Sequence, residues 1–125
     1  MILFDTSVYI AAFKLDDPHH DEAITLIENC SEQILLLHII LQEVITVLTY
    51  KLSLNAGKAF LEFIRNDSRF VLVENNLLQD IAFWESLGKR ISVIDASIIA
   101  FAVSFWVWLV TFDDEMNVIY KKIPL

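Results

Sequence analysis

The amino-acid sequence predicts a single α/β domain over residues 1–125, with a central, mostly parallel sheet and helices on both of its faces. Four short runs rich in aliphatic and aromatic residues have the length and composition of buried strands. Stretches with helical spacing of apolar residues separate these runs, and such alternation is typical of parallel sheets covered on both faces. A chain of 125 residues with 56% hydrophobic side chains is long and apolar enough to form one buried core.

The first half of the chain is predicted to contain two strands and four helices. We expect strands over residues 2–4 and 33–38, and helices from 6 or 7 to about 14, from about 18 to 29, from about 39 to 52, and from 55 to about 66. Asn55 is expected to cap the last of these helices, because an Asn side chain accepts hydrogen bonds from the free N–H groups of a first turn.

The second half is predicted to contain two helices and up to three strands. Asn76 is expected to cap a helix that ends at Gly88, since glycine readily adopts the left-handed conformation that closes helices. Ser92 and Asp95 match a capping box, so another helix should begin at Ser92. The strands are expected over residues 69–74 and 107–112, with a short edge strand over 118–120.

Residues 96–112 form an uncharged apolar run that has two competing interpretations. A membrane-spanning helix needs ~20 apolar residues, so the run is slightly short for one. Its composition also changes partway, because Ala96, Ala100 and Ala102 favour a helix whereas residues 107–112 are β-branched and aromatic. We therefore predict a buried helix followed by a buried parallel strand, and no membrane segment.

Four acidic residues occupy positions where a site in a parallel sheet is expected, since such sites form outside the carboxyl ends of the strands. Asp5 follows the first predicted strand and Asp113 follows a later one, while Glu43 and Asp95 lie in the first halves of helices. Each residue also has a simpler explanation. Asp5 is a common type of helix N-cap, and Glu43 could reach water from the edge of an apolar stripe. Taken together, the four acids predict one acidic rim.

Carboxylates gathered without a neighbouring Lys or Arg repel one another, and a divalent cation is the usual remedy. All-oxygen ligation suits Mg²⁺ or Mn²⁺. Such ions bind phosphates, activate an attacking water and stabilise the leaving oxygen of an in-line displacement. The acids therefore predict phosphodiester hydrolysis.

Four motifs in this sequence resemble those of PIN-domain ribonucleases of the VapC toxin type, and the resemblance covers essentially the whole chain. In order along the chain they are FDTSVYIAAF, LQEVITVL, ISVIDASIIAFA and LVTFDDEM. By this resemblance, the catalytic and metal-binding residues are Asp5, Glu43, Asp95 and Asp113. The resemblance implies a PIN-like fold and a metal-dependent endoribonuclease that uses Mg²⁺ or Mn²⁺.

The resemblance also implies roles for hydroxyl side chains and for partners. Thr6 or Ser7 is expected to help hold the site, with Thr111 as a further supporting hydroxyl. Asp114 stands beside Asp113, which leaves open which of the two faces the ion. A toxin of this type cleaves RNA and is paired with a cognate antitoxin protein.

We expect the antitoxin to lie across the first two helices and the helix that bears Glu43, and to end at the acidic rim. Its apolar anchors would occupy a groove between helices, and a Lys or Arg would reach the acids in competition with the metal. The aromatic segment FWVWLV suggests the surface of a homodimer. The cations proposed to contact RNA are Lys14, Lys51, Lys89 and Arg90.

The net charge of −8 argues against a general nucleic-acid binder, since phosphate contacts need Lys and Arg. It does not exclude a nuclease, because bound divalent ions invert the charge of an acidic site locally. The single cysteine, Cys30, cannot form an internal disulfide, and no basic segment precedes the first apolar residues. We therefore expect a cytoplasmic protein without a signal peptide.

Several other interpretations compete with the nuclease. A catalytically silent PIN-like binding module would use the same acids only for partner contacts. An aspartyl phosphatase needs a second Asp where Ser7 stands, and a receiver domain needs an acid pair and a late Lys that are not visible. His19 and His20 precede two acids and look metal-like, but we expect them to be solvated at a helix start. His38 is expected to be structural.

Overall fold

The computed structural model describes residues 1–123, in which strands and helices alternate around one four-stranded sheet. The strands are β1 (Ile2–Phe4), β2 (Ile34–Leu37), β3 (Phe70–Val73) and β4 (Trp108–Val110). The helices are α1 (Thr6–Phe13), α2 (His20–Glu28), α3 (His38–Lys51), α4 (Leu54–Asn66), α5 (Leu77–Leu87), α6 (Val93–Ser104) and α7 (Asp114–Lys122).

The strand order is β3-β2-β1-β4, and every neighbouring pair is parallel. Right-handed crossovers in this order place α1 to α4 on one face of the sheet and α5 and α6 on the other. The packing agrees with this arrangement, because α1 contacts α2 and α3, α3 contacts α4, and α5 contacts α6. The predicted parallel sheet with helices on both faces is confirmed.

The two central strands form the middle of the core, where Leu3, Phe4, Leu36 and Leu37 are fully buried. Tyr9 of α1 packs edge-on against Phe4, with ring centroids 6.0 Å apart. Strands covered on both faces bury consecutive residues instead of alternate ones, which explains their continuous apolar sequence.

The apolar run over residues 96–112 is a helix followed by a parallel strand, as predicted, but the strand is not buried throughout, because Trp108 is 72% exposed. Six of the twelve residues of α6 are buried, Trp106 turns the chain with a φ of 55°, and β4 follows as an edge strand. Within residues 1–123, no helix is both long enough and apolar enough to cross a membrane.

Most of the predicted caps are present, but one is two residues earlier than predicted. Asn76 accepts from the backbone N–H of Gln79 at 3.2 Å, Gly88 ends α5 with a φ of 59°, and Ser92 accepts from the N–H of Asp95 at 3.0 Å. The cap of α4 is Ser53, whose Oγ accepts from the N–H of Ala56 at 3.1 Å, and not Asn55.

The predicted edge strand over residues 118–120 is wrong, because this segment belongs to α7. Asp113 begins the helix by accepting a hydrogen bond from the N–H of Met116 at 2.9 Å. Acids in the first turn and lysines in the last turn complement the helix dipole. Met116 and Ile119, one turn apart, are buried. The fourth strand is also shorter than predicted, at Trp108–Val110.

Helices α3 and α4 approach each other closely at Gly57. A methyl group built at Gly57 would overlap Oγ1 of Thr49 and would lie 3.4 Å from the carbonyl oxygen of Ile45. Packing against Thr49 therefore leaves little room for a side chain at Gly57, and its backbone conformation does not call for glycine.

Candidate active site

The strands that come first and last in the chain, β1 and β4, are neighbours in the sheet. Their carboxyl ends form a switch point in the topology. The chain leaves β1 toward α1 on one face and leaves β4 toward α7, which contacts α6 on the other face. Crevices at such points are the usual ligand sites of open parallel sheets. A cleft of about 470 Å³ lies here, and its lining includes all four predicted acids: Asp5, Glu43, Asp95 and Asp113.

Asp5 is the buried centre of this cleft, with only 3% of its surface exposed. It is the N-cap of α1, and its Oδ1 accepts a hydrogen bond from the backbone N–H of Ser7 at 2.7 Å. Its Oδ2 accepts from the hydroxyl of Ser7 at 3.0 Å and from the hydroxyl of Thr111. Three donors therefore fix the orientation of a carboxylate that water scarcely reaches.

The two hydroxyl groups connect Asp5 to the segment after β4. Ser7 Oγ accepts from the N–H of Phe112 at 3.0 Å, and Thr111 Oγ1 accepts from the N–H of Asp113 at 3.0 Å. Each hydroxyl thus donates its proton to Asp5 and accepts one backbone N–H. This network joins α1 to the start of α7.

Asp95 lies in the first turn of α6 and faces the other acids. Burial, together with the negative charges of Asp5, Asp113 and Glu43, raises its pKa from 3.8 to about 6, although a hydrogen bond with Ser92 lowers it. The four acids, which come from separate elements, are therefore close enough to repel one another.

The pKa of Asp5 is also raised, first by burial and then by the charge of Asp113. The hydrogen bonds from Thr111 and Ser7 act in the opposite direction, because they favour the charged carboxylate. Burial thus disfavours the charged form of Asp5, while its hydrogen-bond donors favour that form.

Asp113 lines the cleft, whereas its neighbour Asp114 does not. Asp5 caps α1, as its position suggested, and Asp113 caps α7 through Oδ1, which was not predicted. Capping does not remove them from the cleft, since both carboxylates still line it.

The donor set of the cleft fits a hard divalent cation. Among residues 1–123, no three acidic, imidazole or thiol side chains stand close enough to enclose an ion by themselves. Mg²⁺ does not need such a cage, because it keeps several waters and binds through one or two carboxylates together with substrate phosphates. An open cleft with several carboxylates is compatible with that mode of binding.

Sequence reasoning missed part of the lining. Of the four cations proposed for RNA contacts, Lys51 lines the cleft. The acids were expected to have no positive group nearby, and this expectation is wrong. Asp17, His19 and Phe112 line it as well. The prediction that the histidine pair is solvated is wrong for His20, which is half-buried and donates from Nδ1 to the carbonyl oxygen of Ala11 at 2.8 Å.

The remaining histidine, His38, lies outside the cleft. It is exposed, and its Nδ1 lies 3.5 Å from Oε1 of Glu74. The burial of Asp80 on α5 was not predicted. Its carboxylate accepts a hydrogen bond from the side chain of Asn75 at 2.6 Å. Leu77 and Leu78, in the first turn of α5, are exposed although they are apolar.

Comparisons with known proteins agree with this geometry. The family model described as the PIN domain matches residues 2–122. Among solved structures, VapC20 of Mycobacterium tuberculosis, described as a sarcin-ricin loop cleaving toxin, superposes with a TM-score of 0.82. It shares 20% sequence identity, and the alignment covers 95% of each chain. Comparison with curated proteins finds no match.

Proposed function

The chain belongs to the PIN-domain family, and from that premise we propose that it is a metal-dependent endoribonuclease, the toxin of a toxin–antitoxin pair. The observation that carries the proposal is the meeting of four carboxylates from separate elements in one cleft, where burial and the charges of the other three raise the pKa of Asp95 to about 6. The likeness to a toxin that cleaves the sarcin-ricin loop supports RNA as the substrate class.

Asp5, Glu43, Asp95 and Asp113 would hold Mg²⁺ or Mn²⁺, which supplies activation of water and stabilisation of the leaving oxygen in phosphodiester hydrolysis. The donors around Asp5 keep its carboxylate oriented, so the ion would meet a ligand that needs little rearrangement.

Lys51 would contact a phosphate of the substrate. It lines the same cleft as the acids and supplies a positive charge beside them. The backbone of RNA would thereby be held against the carboxylates in spite of the net charge of −8.

The antitoxin would bind across α1, α2 and α3 and end at the acids. Leu15, which follows α1, and Tyr50, near the end of α3, are both 87% exposed and offer apolar contacts on this side of the domain. A basic residue of the antitoxin would pair with the carboxylates and displace the metal. Removing its apolar anchors should weaken binding more than removing the basic residue, which should chiefly relieve inhibition.

A homodimer would form through the aromatic segment before and within β4. Phe105, Trp106 and Trp108 are exposed there, and large exposed apolar side chains in a cluster favour protein contacts. Sedimentation of the parent and of Trp108→Glu compares the two oligomeric states directly. We place the protein in the cytoplasm, where its RNA substrate and a reduced Cys30 are both expected.

The test of the nuclease is cleavage of RNA by purified protein with Mg²⁺ or Mn²⁺, and with the ions removed by chelation. Asp95→Asn keeps the shape of the side chain and removes its charge, so cleavage should fall by about two orders of magnitude or more while the protein stays folded. Asp114→Asn is the matched control, because this acid lies beside Asp113 but outside the cleft. Equal cleavage by Asp95→Asn and the parent would exclude the proposed site.

A further inference from the structure

Two aromatic rings from distant parts of the sequence are stacked at the acidic cleft. The imidazole of His19 and the ring of Phe112 have centroids 4.4 Å apart and planes 13° from parallel. Both residues line the cleft that contains Asp5 and Asp113. Neither ring takes part in the proposed binding of a metal ion by the carboxylates.

The backbone around His19 is held by several hydrogen bonds. The N–H of His19 donates to Oδ1 of Asp17 at 2.8 Å, and its carbonyl oxygen accepts from the N–H of Ala23 at 2.9 Å. The adjacent His20 is fixed to α1 by the bond from its Nδ1 to the carbonyl oxygen of Ala11. His19 is thus presented by an anchored turn and not by a free loop.

Phe112 is fixed relative to the carboxylates. Its N–H donates to Ser7 Oγ at 3.0 Å, and Ser7 donates in turn to Asp5. The preceding residue, Thr111, also donates to Asp5. These hydrogen bonds connect the stacked pair to the centre of the site.

The His19 side chain is partly open to solvent. It is 50% exposed although Phe112 stacks on one face of the ring, and its Nδ1 lies 3.5 Å from Oε2 of Glu22. Single-stranded RNA is bound in just such settings, by stacking of splayed bases on Phe, Tyr, Trp or His. A half-exposed ring that lines the proposed nuclease cleft has the chemistry to receive a base.

We propose that His19, supported by Phe112, stacks against one base of single-stranded RNA next to the scissile phosphate, an inference that rests on the proposed nuclease function. Lys51, on the same cleft, neutralises a phosphate of the same strand. Stacking is tolerant of base identity, because every base has a π face. His19 therefore sets where the strand lies in the cleft more than which base is chosen.

The experiment measures binding of short single-stranded RNAs in which 2-aminopurine is moved along the strand, because stacking quenches its fluorescence. Asp95→Asn provides the background, so that the RNA is not consumed. We expect quenching at one position with His19 and with His19→Phe, which keeps a ring. His19→Ala should lose the quenching and raise Kd by about 5- to 150-fold, the range for one base on an aromatic side chain.

His38→Ala is the matched control, because this exposed histidine lies outside the cleft, and it should bind and quench like the background protein. Thermal unfolding checks that each variant is folded, and His19→Gln replaces His19→Ala if the latter does not fold. Equal binding and quenching by His19→Ala and the background protein would overturn the proposal.

An abasic nucleotide at the quenched position separates stacking from other effects. With that RNA, His19→Ala and the background protein should bind equally, since the base is gone; a loss that persists would overturn the proposal. If His19→Ala weakens only the capture of an antitoxin peptide, the stack belongs to that partner and the proposal is wrong.

Cleavage by the parent with Mn²⁺, run in parallel, distinguishes the two levels of inference. If the parent cleaves RNA but His19→Ala changes neither RNA binding nor quenching, the stacking proposal is refuted and the nuclease proposal stands. An absence of both cleavage and RNA binding by the parent refutes the nuclease and, with it, the stacking.

Discussion

The hydroxyl of Thr111, after β4, donates a hydrogen bond to Oδ2 of Asp5, after β1, although 106 positions of sequence separate the two residues. The same oxygen of Thr111 accepts the N–H of Asp113 at 3.0 Å. One hydroxyl therefore fixes the orientation of one cleft carboxylate and the backbone of another. Its removal should affect stability and catalysis together.

Thr111→Val keeps the shape of the side chain and removes the hydroxyl. Loss of a buried hydrogen bond to a carboxylate should lower the free energy of unfolding by about 1–3 kcal/mol. The bond from Thr111 lowers the pKa of Asp5, so the variant should have a higher Asp5 pKa and lose activity at a higher pH on acidification. Urea unfolding and the pH profile of RNA cleavage measure the two effects. Thr111→Ser, which keeps the hydroxyl, should resemble the parent; equal losses in both variants would point to packing instead.

Asp95→Asn should stabilise the metal-free protein at pH 8. The pKa of Asp95 is raised from 3.8 to about 6 on folding, so its charge opposes folding above about pH 6, and this penalty declines as the pH falls toward 3.8. With allowance for solvent screening, the gain should be about 1–2 kcal/mol at pH 8 and small at pH 4. Thermal unfolding in a chelator across this pH range measures it.

Asp114→Asn serves as the control for that measurement, since this acid lies outside the cleft. The parent and Asp114→Asn should show the same change of stability with pH through the region around 6, and Asp95→Asn should show less. Parallel curves for all three proteins would contradict the assignment of the raised pKa.

Lys51→Met should weaken RNA binding and reduce its dependence on salt. The substitution keeps an unbranched side chain and removes the positive charge that lines the cleft. Loss of one phosphate contact on a single strand should change the slope of log Kd against log salt concentration by about 0.7. Binding titrations at several salt concentrations measure the slope. Lys58→Met, an exposed substitution on α4, is the control, and an unchanged slope in Lys51→Met would show that this lysine does not contact phosphate.

Gly57→Ala should destabilise the domain, because the added methyl group overlaps Oγ1 of Thr49 where α3 meets α4. Overpacking costs about 1–3 kcal/mol, which exceeds the gain of about 1 kcal/mol from replacing glycine inside a helix. Thr49→Ala removes the overlapping atom. The double variant should therefore be at least as stable as the Thr49→Ala single variant. Denaturant unfolding of the four proteins forms a double-mutant cycle, and additive effects would contradict the contact.

The sequence predicts the fold well where local signals and burial agree. Short apolar runs and the caps at Asn76 and Ser92 place most elements, and the rule that parallel strands share a carboxyl edge brings Asp5 near Asp113. It fails at α7, where β-branched residues indicate a strand but the Asp113 cap and one-turn spacing of Met116 and Ile119 decide for a helix. A cap signal was present there and was outweighed by β propensity.

The missing parts of the site depend on contacts between segments distant in sequence. His19 stands in a polar string at a helix start, which looks the same whether the ring is solvated or stacked on Phe112. Lys51 is different, because it lies eight positions, about two turns, after Glu43 on α3, and this spacing places both residues on one face of the helix. Periodicity describes one element at a time, so it does not reveal pairs made by the packing of α1, α2 and the turn after β4.

The pairing of β1 with β4 has a consequence for synthesis of the protein. A nascent chain that has not yet exposed β4 already carries Asp5, Glu43 and Asp95, but Thr111 and Asp113 are still in the ribosome. Closing so long a loop is among the slower steps of folding, since the entropy of the intervening chain must be lost before the strands meet. The acidic cleft is therefore complete only after β4 has been synthesised and has paired with β1.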